Sequence, residues 1–422
     1  MIDLRRNWSG SRTFQAREIH QPKTLDDLQR IVSKSERAKA IGSRHSFNSI
    51  ADTSGDLISL EHFDHVVEID EQTSSATVGG GMPYASFCRE LDAAGYAVHN
   101  MASLPQITLA GACSTATHGS GDSCGNLATA VRALTLVTGK GELVTLDRET
   151  NEDDFRAVVV GIGAFGIITE MTLDLRPAFQ VRQDIYEELP HSELWKHFDE
   201  IMSLGYSVSL FTDWQGRTVN QLWVKRIVEP QSTITAEQEL YGAQLATVAV
   251  HPSPGKPGAD CNDQLGAVGP WHQRLPHFRD DAVGPTGEDL QTEYFVDRRY
   301  AVDALQSVAE LEDELRPLLK TSEIRTVAAD DLWMSTAFES DCIGIHFSWQ
   351  MDLPAVENLM PLIEQQLRPF SPRPHWGKLF TMPSDEIAPR YPRFEDFRAH
   401  VEKYDPNGTF RNEFLDNLLS VR

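Results

Sequence analysis

The apolar positions of this chain keep two rhythms and switch between them often. Leu25, Leu28, Ile31 and Val32 fall at helical spacing behind Thr24, with Asp27 three residues on, which predicts an N-capped helix. Ala38, Ala40 and Ile41 read as a strand, and 57–60, 66–69 and 76–78 as short strands with turns between them. Gly79-Gly80-Gly81 closes that set and allows close backbone approach or a turn with positive φ. A helix is expected from Tyr84 to Ala94, ended by Gly95. Segments 131–138 and 143–146 flank Gly139-Lys140-Gly141 as a hairpin, Glu152 opens a helix, and a strand is expected over 162–175.

Past Pro177 the pattern changes. Segments 206–214 and 221–228 alternate like antiparallel strands. Proline and glycine crowd 251–260 into a long loop, continued through Gly269-Pro270-Trp271-His272 and Pro276-His277-Phe278. Further on, 291–296 is expected as a strand and 299–319 as one amphipathic helix on Leu305, Val308, Leu311, Leu315 and Leu318. Strands over 323–327 and 342–349 and a helix over 355–367 complete the series. This order is α+β with mixed strand order, not a repeating βαβ unit, and no GxGxxG follows the first strand. The expected domains are 1–176, 177–383 with an antiparallel sheet, and a tail, 384–422, packing back on the first.

Composition narrows the class. With 41% hydrophobic and 24% charged residues, the 422-residue chain suits a globular protein of more than one domain. A net charge of −24 repels phosphate backbones and anionic lipid, so neither nucleic acid nor membrane is an expected partner. The first residues lack a signal-peptide core, no apolar run spans a bilayer, and the five cysteines form no CxxC pair. A reducing cytoplasm is the expected location. No His, Asp and Glu cluster has metal-ligand spacing, and no GxSxG elbow marks a hydrolase.

Candidate chemistry lies in three places. Ile41-Gly42-Ser43-Arg44-His45-Ser46-Phe47-Asn48 follows a strand, and its small residues let backbone amides approach a ligand with an imidazole at the turn. Alone this reads first as a loop with a solvent-facing histidine. It is joined by 100–105 and by the Gly/Ser-rich 110–121, and two such loops suit a flavin dinucleotide. Period-two alternation then puts Glu323 with Arg325, and His346 with Ser348, on single strand faces. The plain alternatives are an ion pair at a solvated sheet edge, a structural histidine and, for Lys378, a solvated lysine.

Seven segments together, 42–48, 100–105, 117–121, 207–214, 269–272, 323–329 and 375–378, resemble the bacterial alditol oxidases. These xylitol and sorbitol oxidases belong to the vanillyl-alcohol-oxidase flavoprotein superfamily. The resemblance runs from about residue 8 to 410. It implies a two-lobed, PCMH-type FAD-binding domain, a substrate-binding cap domain, and FAD joined covalently to His45. Ala40, Ile41, Gly42, Ser43, Arg44 and Ser46 would wrap the pyrophosphate. Ser103, Thr108, Gly111, Thr115, Ala116, Thr117, His118 and Ile168 match other FAD contacts, and His375 one near the ring. No cysteine stands in 103–105, so a single link is expected, with Cys113 as buried packing.

The family's polyol pocket falls on Ser103, Glu323, Arg325, Ser348 and Lys378. His346 is the expected base for the C1 hydroxyl, with Arg325 or Lys378 stabilising developing charge. The implied partners are a polyol and dioxygen, with an aldose and hydrogen peroxide as products, and the chain is expected to be a monomer. Relatives often carry Gly at Arg44 and Thr at Ser348, and the small Ala102 bears on access of oxygen. A sugar-1,4-lactone oxidase or dehydrogenase, and a non-catalytic flavin- or polyol-binding protein, remain the alternatives.

Overall fold

The computed structural model describes residues 3–229, 235–279 and 287–421. Its first region has two lobes. In one, β1 (Glu18–His20), α1 (Leu25–Val32), β2 (Ala38–Ile41) and β3 (Asp56–Ser59) build a small parallel sheet in the order β1-β3-β2. Thr24 caps α1 by accepting from the Asp27 amide, and Leu28 and Val32 are fully buried, as their spacing predicts. The other lobe contains β4 (Val66–Asp70), β5 (Ser75–Gly79), α2 (Tyr84–Ala93), β6 (Tyr96–Ala97), α3 (Leu109–Ser114), β7 (Val131–Val137), β8 (Leu143–Asp147), α4 (Glu152–Val159) and β9 (Ile167–Asp174). Here β4-β5-β9-β7-β8 form an antiparallel sheet, and β7 and β8 are the expected hairpin.

After β10 (Arg176–Pro177), which pairs with β6, the chain enters a ten-stranded sheet. Its elements are β11 (Gln180–Pro190), α5 (His191–Lys196), α6 (Phe198–Met202), β12 (Ser207–Thr212), β13 (Thr218–Val228), β14 (Glu239–Leu240), β15 (Ala243–Leu245), β16 (Val268–Pro270), α7 (Trp271–Arg274), β17 (Leu290–Asp297), α8 (Ala301–Ala309), α9 (Glu312–Leu315), β18 (Leu319–Val327), β19 (Cys342–Trp349), α10 (Leu353–Leu367) and β20 (Arg373–Pro374). The antiparallel order is β14-β15-β11-β13-β12-β18-β19-β17-β20, with β16 also on β11. The chain is thus α+β with antiparallel sheets, as expected. On one face Ile345, Phe347 and Trp349 join Leu305, Val308, Val356 and Ile363 of α8 and α10 in the main core. The alternate residues are free to face elsewhere.

The tail forms α11 (Ser384–Ile387), α12 (Phe394–Tyr404) and α13 (Glu413–Leu419). It returns to the first region. Phe410 joins the core of the small lobe, the Ala38 amide donates to the Thr409 carbonyl at 2.8 Å, and Phe397 meets Phe165 edge-on at 5.3 Å.

Five stretches differ from expectation. Segment 268–274, expected as loop, forms β16 and α7. The helix expected over 299–319 is broken after Ala309, where the Leu311 amide turns tightly onto the Val308 carbonyl. Pro317 has no amide to continue α9, and Leu319 already belongs to β18. The strand expected from Ile162 starts only at Ile167, because Ile162 and Gly163 take φ of +47° and +71°. Part of the glycine-rich loop after Thr108 is helical, as α3. β11 is an unexpected strand, hidden by polar residues that the fold neutralises: Asp184 pairs with Arg182 at 2.9 Å and Arg226 at 3.3 Å.

Candidate active site

A cavity of about 840 Å³ opens between the two lobes and the ten-stranded sheet, lined from all three. Its lobe side is built from backbone and small side chains. β2 delivers the chain into Gly42, Ser43, Arg44, His45 and Ser46, and Gly80, Gly81, Thr108, Gly111, Thr115, Thr117 and Ile168 complete the wall. A Cβ on Gly42 would stand 2.1 Å from Thr108 Oγ1, and one on Gly81 1.9 Å from the Leu60 carbonyl oxygen, so both positions are closed to side chains. Lys39, buried at the cavity wall, donates to the Gly163 carbonyl at 2.9 Å. Burial lowers its pKa to about 7.

His45 is held without being satisfied. Its ring stacks on Trp8 at 4.7 Å, yet neither ring nitrogen meets hydrogen-bond geometry with a described residue. Burial, then the neighbouring Arg44 charge, lowers its pKa to about 4, which leaves a neutral imidazole with a free lone pair. Arg44 takes φ of +64°, a conformation in which glycine is unstrained. Its guanidinium neither points into solvent alone nor pairs with an acid: it donates to the carbonyls of Asp3 and Arg6, at 3.1 and 2.9 Å. The loop is tied to the far side of the cavity. The Phe47 amide donates to the Gly377 carbonyl, and Asn48 donates to the carbonyls of Trp376 and Lys378.

The opposite wall is one polar sheet face. β18 places Glu323 opposite His346 of β19, and β17 places Glu293 opposite His346 and Gln291 opposite Ser348. Directly opposed residues share a face, so Gln291, Glu293, Glu323, Arg325, His346 and Ser348 all turn toward the cavity. Glu293 is the hub. One oxygen accepts from Arg325 at 2.8 Å and lies 3.1 Å from His118 Nε2, and the other accepts from Lys378 Nζ at 2.6 Å. Burial would raise its pKa, but Lys378, Arg325 and His118 prevail and hold it well below the usual carboxylate range. Glu323 is likewise held low, with Arg325 Nε at 3.5 Å and His277 Nε2 at 2.7 Å overcoming its burial. Glu323 and Arg325 are each 5% exposed and sit mid-sheet, so they are no solvated edge pair. Lys378 is no solvated lysine either.

His346 has a buried Nδ1 with no hydrogen-bond partner among the described residues. Burial and the nearby Lys378 charge lower its pKa to about 3, so it is neutral at pH 7. Ser348 donates to Asp289 at 2.8 Å, which leaves its oxygen as an acceptor. Arg325 also reaches Ser103 Oγ at 3.3 Å.

Every residue marked from sequence as a cofactor or substrate contact lines this cavity except Ala116, whose side chain lies in the main core at φ of +53°. Ala102 lines it too. Cys113 is buried against Tyr84, and burial raises its thiol to about 12. Gly269–His272 lies off the cavity, with Trp271 fully buried. Sequence reasoning missed Glu293, Lys39, His277, Asp289 and Trp8. The signal for Glu293 was a lone acid inside the strand-forming segment 290–296. Among the described residues one acid and histidine group, Glu18, His20 and Asp56, brings ligand atoms within 4.8 Å, but it lines no part of the cavity and Arg17 already pairs with Asp56.

The chain is similar to known proteins in sequence and in fold. Residues 16–147 match the FAD binding domain family, and residues 288–418 match the D-arabinono-1,4-lactone oxidase family. The chain is 42% identical to an alditol oxidase from Streptomyces sp. over 98% of both chains. It is 26% identical to an L-gulono-1,4-lactone dehydrogenase from Mycobacterium tuberculosis, again over 98% of both. In fold it is similar to a solvent-stable cholesterol oxidase, with a TM-score of 0.79 at 16% identity, covering 98% of this chain and 97% of that one. The side-chain-free cradle at Gly42 and Gly81 and the unsatisfied His45 ring fit a bound FAD.

Proposed function

The chain belongs to the alditol oxidase family of FAD-binding oxidoreductases, and from that premise we propose that it oxidises the terminal C1 hydroxyl of a linear polyol, such as xylitol or sorbitol. The products are the aldehyde (an aldose) and, from dioxygen, hydrogen peroxide. One observation carries this: a buried face of hydroxyl-seeking side chains stands across a single cavity from a cradle that fits a flavin. Bound FAD would supply the two-electron acceptor for the C1 hydride and the route from there to dioxygen. In this proposal residues 1–176 and the tail hold the cofactor, and 177–383 supply the polyol side. Ala40 to Ser46, Ser103, Thr108, Gly111, Thr115, Thr117, His118, Ile168 and His375 hold FAD, with a covalent bond from His45.

The chain's own residues divide the remaining work. Glu323 accepts from polyol hydroxyls, and Arg325, Lys378 and Ser103 donate to oxygens. Ser348, its proton committed to Asp289, accepts. A site of this kind rejects an analogue lacking a hydroxyl, because a buried group is then left unpaired. His346, neutral and on the cavity wall, takes the C1 hydroxyl proton as hydride leaves the same carbon. Arg325 and Lys378, fixed by Glu293, stabilise the alkoxide character that develops on the oxygen. The five cysteines, all unpaired and buried, suit a reducing compartment, and we place the enzyme in the cytoplasm as a monomer.

A sugar-1,4-lactone is the second reading, favoured by the match of residues 288–418. Anaerobic mixing separates the two: xylitol bleaches the flavin, and under air one peroxide appears per aldose. Bleaching by an aldonolactone and not by xylitol would reverse the assignment. Acid precipitation should leave yellow colour on the protein, and His45→Ala should release it.

A further inference from the structure

Behind Glu323 a chain of buried donors leads away from the cavity, and the steps above make no use of it. His277 lines the cavity, is 4% exposed, and sets Nε2 2.7 Å from Glu323 Oε1. Beyond it Lys225, in the middle of β13 and 1% exposed, sets Nζ 3.1 Å from His277 Nδ1. The same ammonium donates to the carbonyls of Leu275, at 2.5 Å, and Pro276, at 3.1 Å. Phe211 and Trp223 meet the His277 ring edge-on at 5.3 and 5.2 Å. The His277 amide donates to the Ser103 carbonyl at 3.3 Å, so the ring is held in position and in plane.

The protons of this chain follow from donor capacity. An ammonium has three donors and no acceptor, and Lys225 meets three acceptors. His277 Nδ1 must then accept, which puts the ring proton on Nε2, facing Glu323. Burial lowers the pKa of His277 to about 4, so the ring is neutral, and that of Lys225 to about 7; the ionised Glu323 can only accept, so with the lysine in either state the ring proton stays on Nε2. One oxygen of Glu323 is thereby occupied. No hydrogen bond among the described residues reaches the other. An apolar side chain would fill the site of Lys225 at far lower desolvation cost.

We propose that Lys225 and His277 are positioning residues: they lock the Glu323 carboxylate with one oxygen presented to a polyol hydroxyl, and so set the requirement for a hydroxyl donor at that place in the substrate. This rests on the function proposed above. The carboxylate can be held by a fixed ring N–H without swinging toward Arg325, and its second oxygen discriminates between a hydroxyl and a hydrogen.

The test uses the full-length, flavin-loaded protein with xylitol. His277→Leu and Lys225→Met should each raise KM about ten- to hundredfold, with kcat at saturation within about threefold of wild type. The double variant should be no worse than either single one, since both remove the same constraint. His277→Gln should keep a near wild-type KM, because its amide donates to Glu323 while its carbonyl accepts from Lys225. In ¹⁵N-histidine-labelled protein, His277 should show a protonated Nε2 and a bare Nδ1. Should Lys225→Met fail to fold, the pair of His277 variants carries the test: equal KM for Leu and Gln overturns the proposal. Additive effects in the double variant also overturn it. A wild-type protein that turns over no polyol overturns the proposed function itself, before any variant is made.

Discussion

The two walls of the cavity are built on opposite principles. The lobe side is made from a few short loop stretches rich in small residues, such as Gly42, Ser43 and Gly81, and its chemistry is backbone and shape. The sheet side is made from alternate residues of β17, β18 and β19, and its chemistry is charge. The first wall tolerates no added atom, and the second tolerates no lost charge. A cofactor that stays needs a close fit. A substrate that comes and goes needs donors and acceptors already aimed, with their desolvation settled by neighbours rather than by the ligand.

Variants should break the two walls differently. Glu293→Leu should have the largest effect, because it leaves Arg325 and Lys378 buried without their shared partner. We expect a loss of about 3–5 kcal/mol in stability and no turnover, read by thermal melting and peroxide assay. Next is His346→Gln, which should lower kcat by about 10²–10⁴ while the flavin absorbance stays as in wild type. Unchanged turnover there would remove His346 as the base. On the other wall, Gly42→Ala should reduce flavin content and leave the polyol face intact. Thr108→Ala in the same chain should recover part of that content by removing the hydroxyl the new Cβ meets, and no recovery would mean the clash is not with Thr108.

The broadest effect, and the smallest at neutral pH, is on acid stability. His277 and His346 have pKa values lowered by burial from 6.5 to about 4 and about 3, and His118 and His375 are lowered in the same sense. Below pH 6.5 the unfolded chain therefore takes up protons that the folded one refuses. Stability should fall as pH drops from 6.5 toward 4, by up to about 1.4 kcal/mol per pH unit for each such ring. Melting temperatures across that range should show the slope, and His346→Gln should make it shallower.

The contrast between the walls also explains what could be read from sequence. The cradle was legible because a ligand-wrapping loop is local: 41–48 announces itself by its glycine, serines and histidine in one stretch. Glu323, Arg325, His346 and Ser348 were legible as alternations within single strands. Their meeting was not, because it depends on β17 and β18 flanking β19 in register. Glu293 escaped for that reason, since an acid in a strand looks like an edge residue until two cations from distant segments converge on it. Lys225 and β11 escaped likewise, with polar side chains that read as exposed until their buried partners are placed. The broken helix near 310 failed on local grounds, where apolar spacing outlasted the helix that Pro317 cuts off.

The His45 loop is clasped by parts of the chain made at very different times. Trp8, which stacks on His45, also accepts through its carbonyl from the Gly287 amide, and the loop itself is pinned by Gly377, Trp376 and Lys378. A nascent chain that has emerged only through the lobes has a histidine but not the walls around it. Loading of the cofactor must therefore wait until synthesis is nearly finished, and a truncated product ending before residue 376 should leave the ribosome colourless.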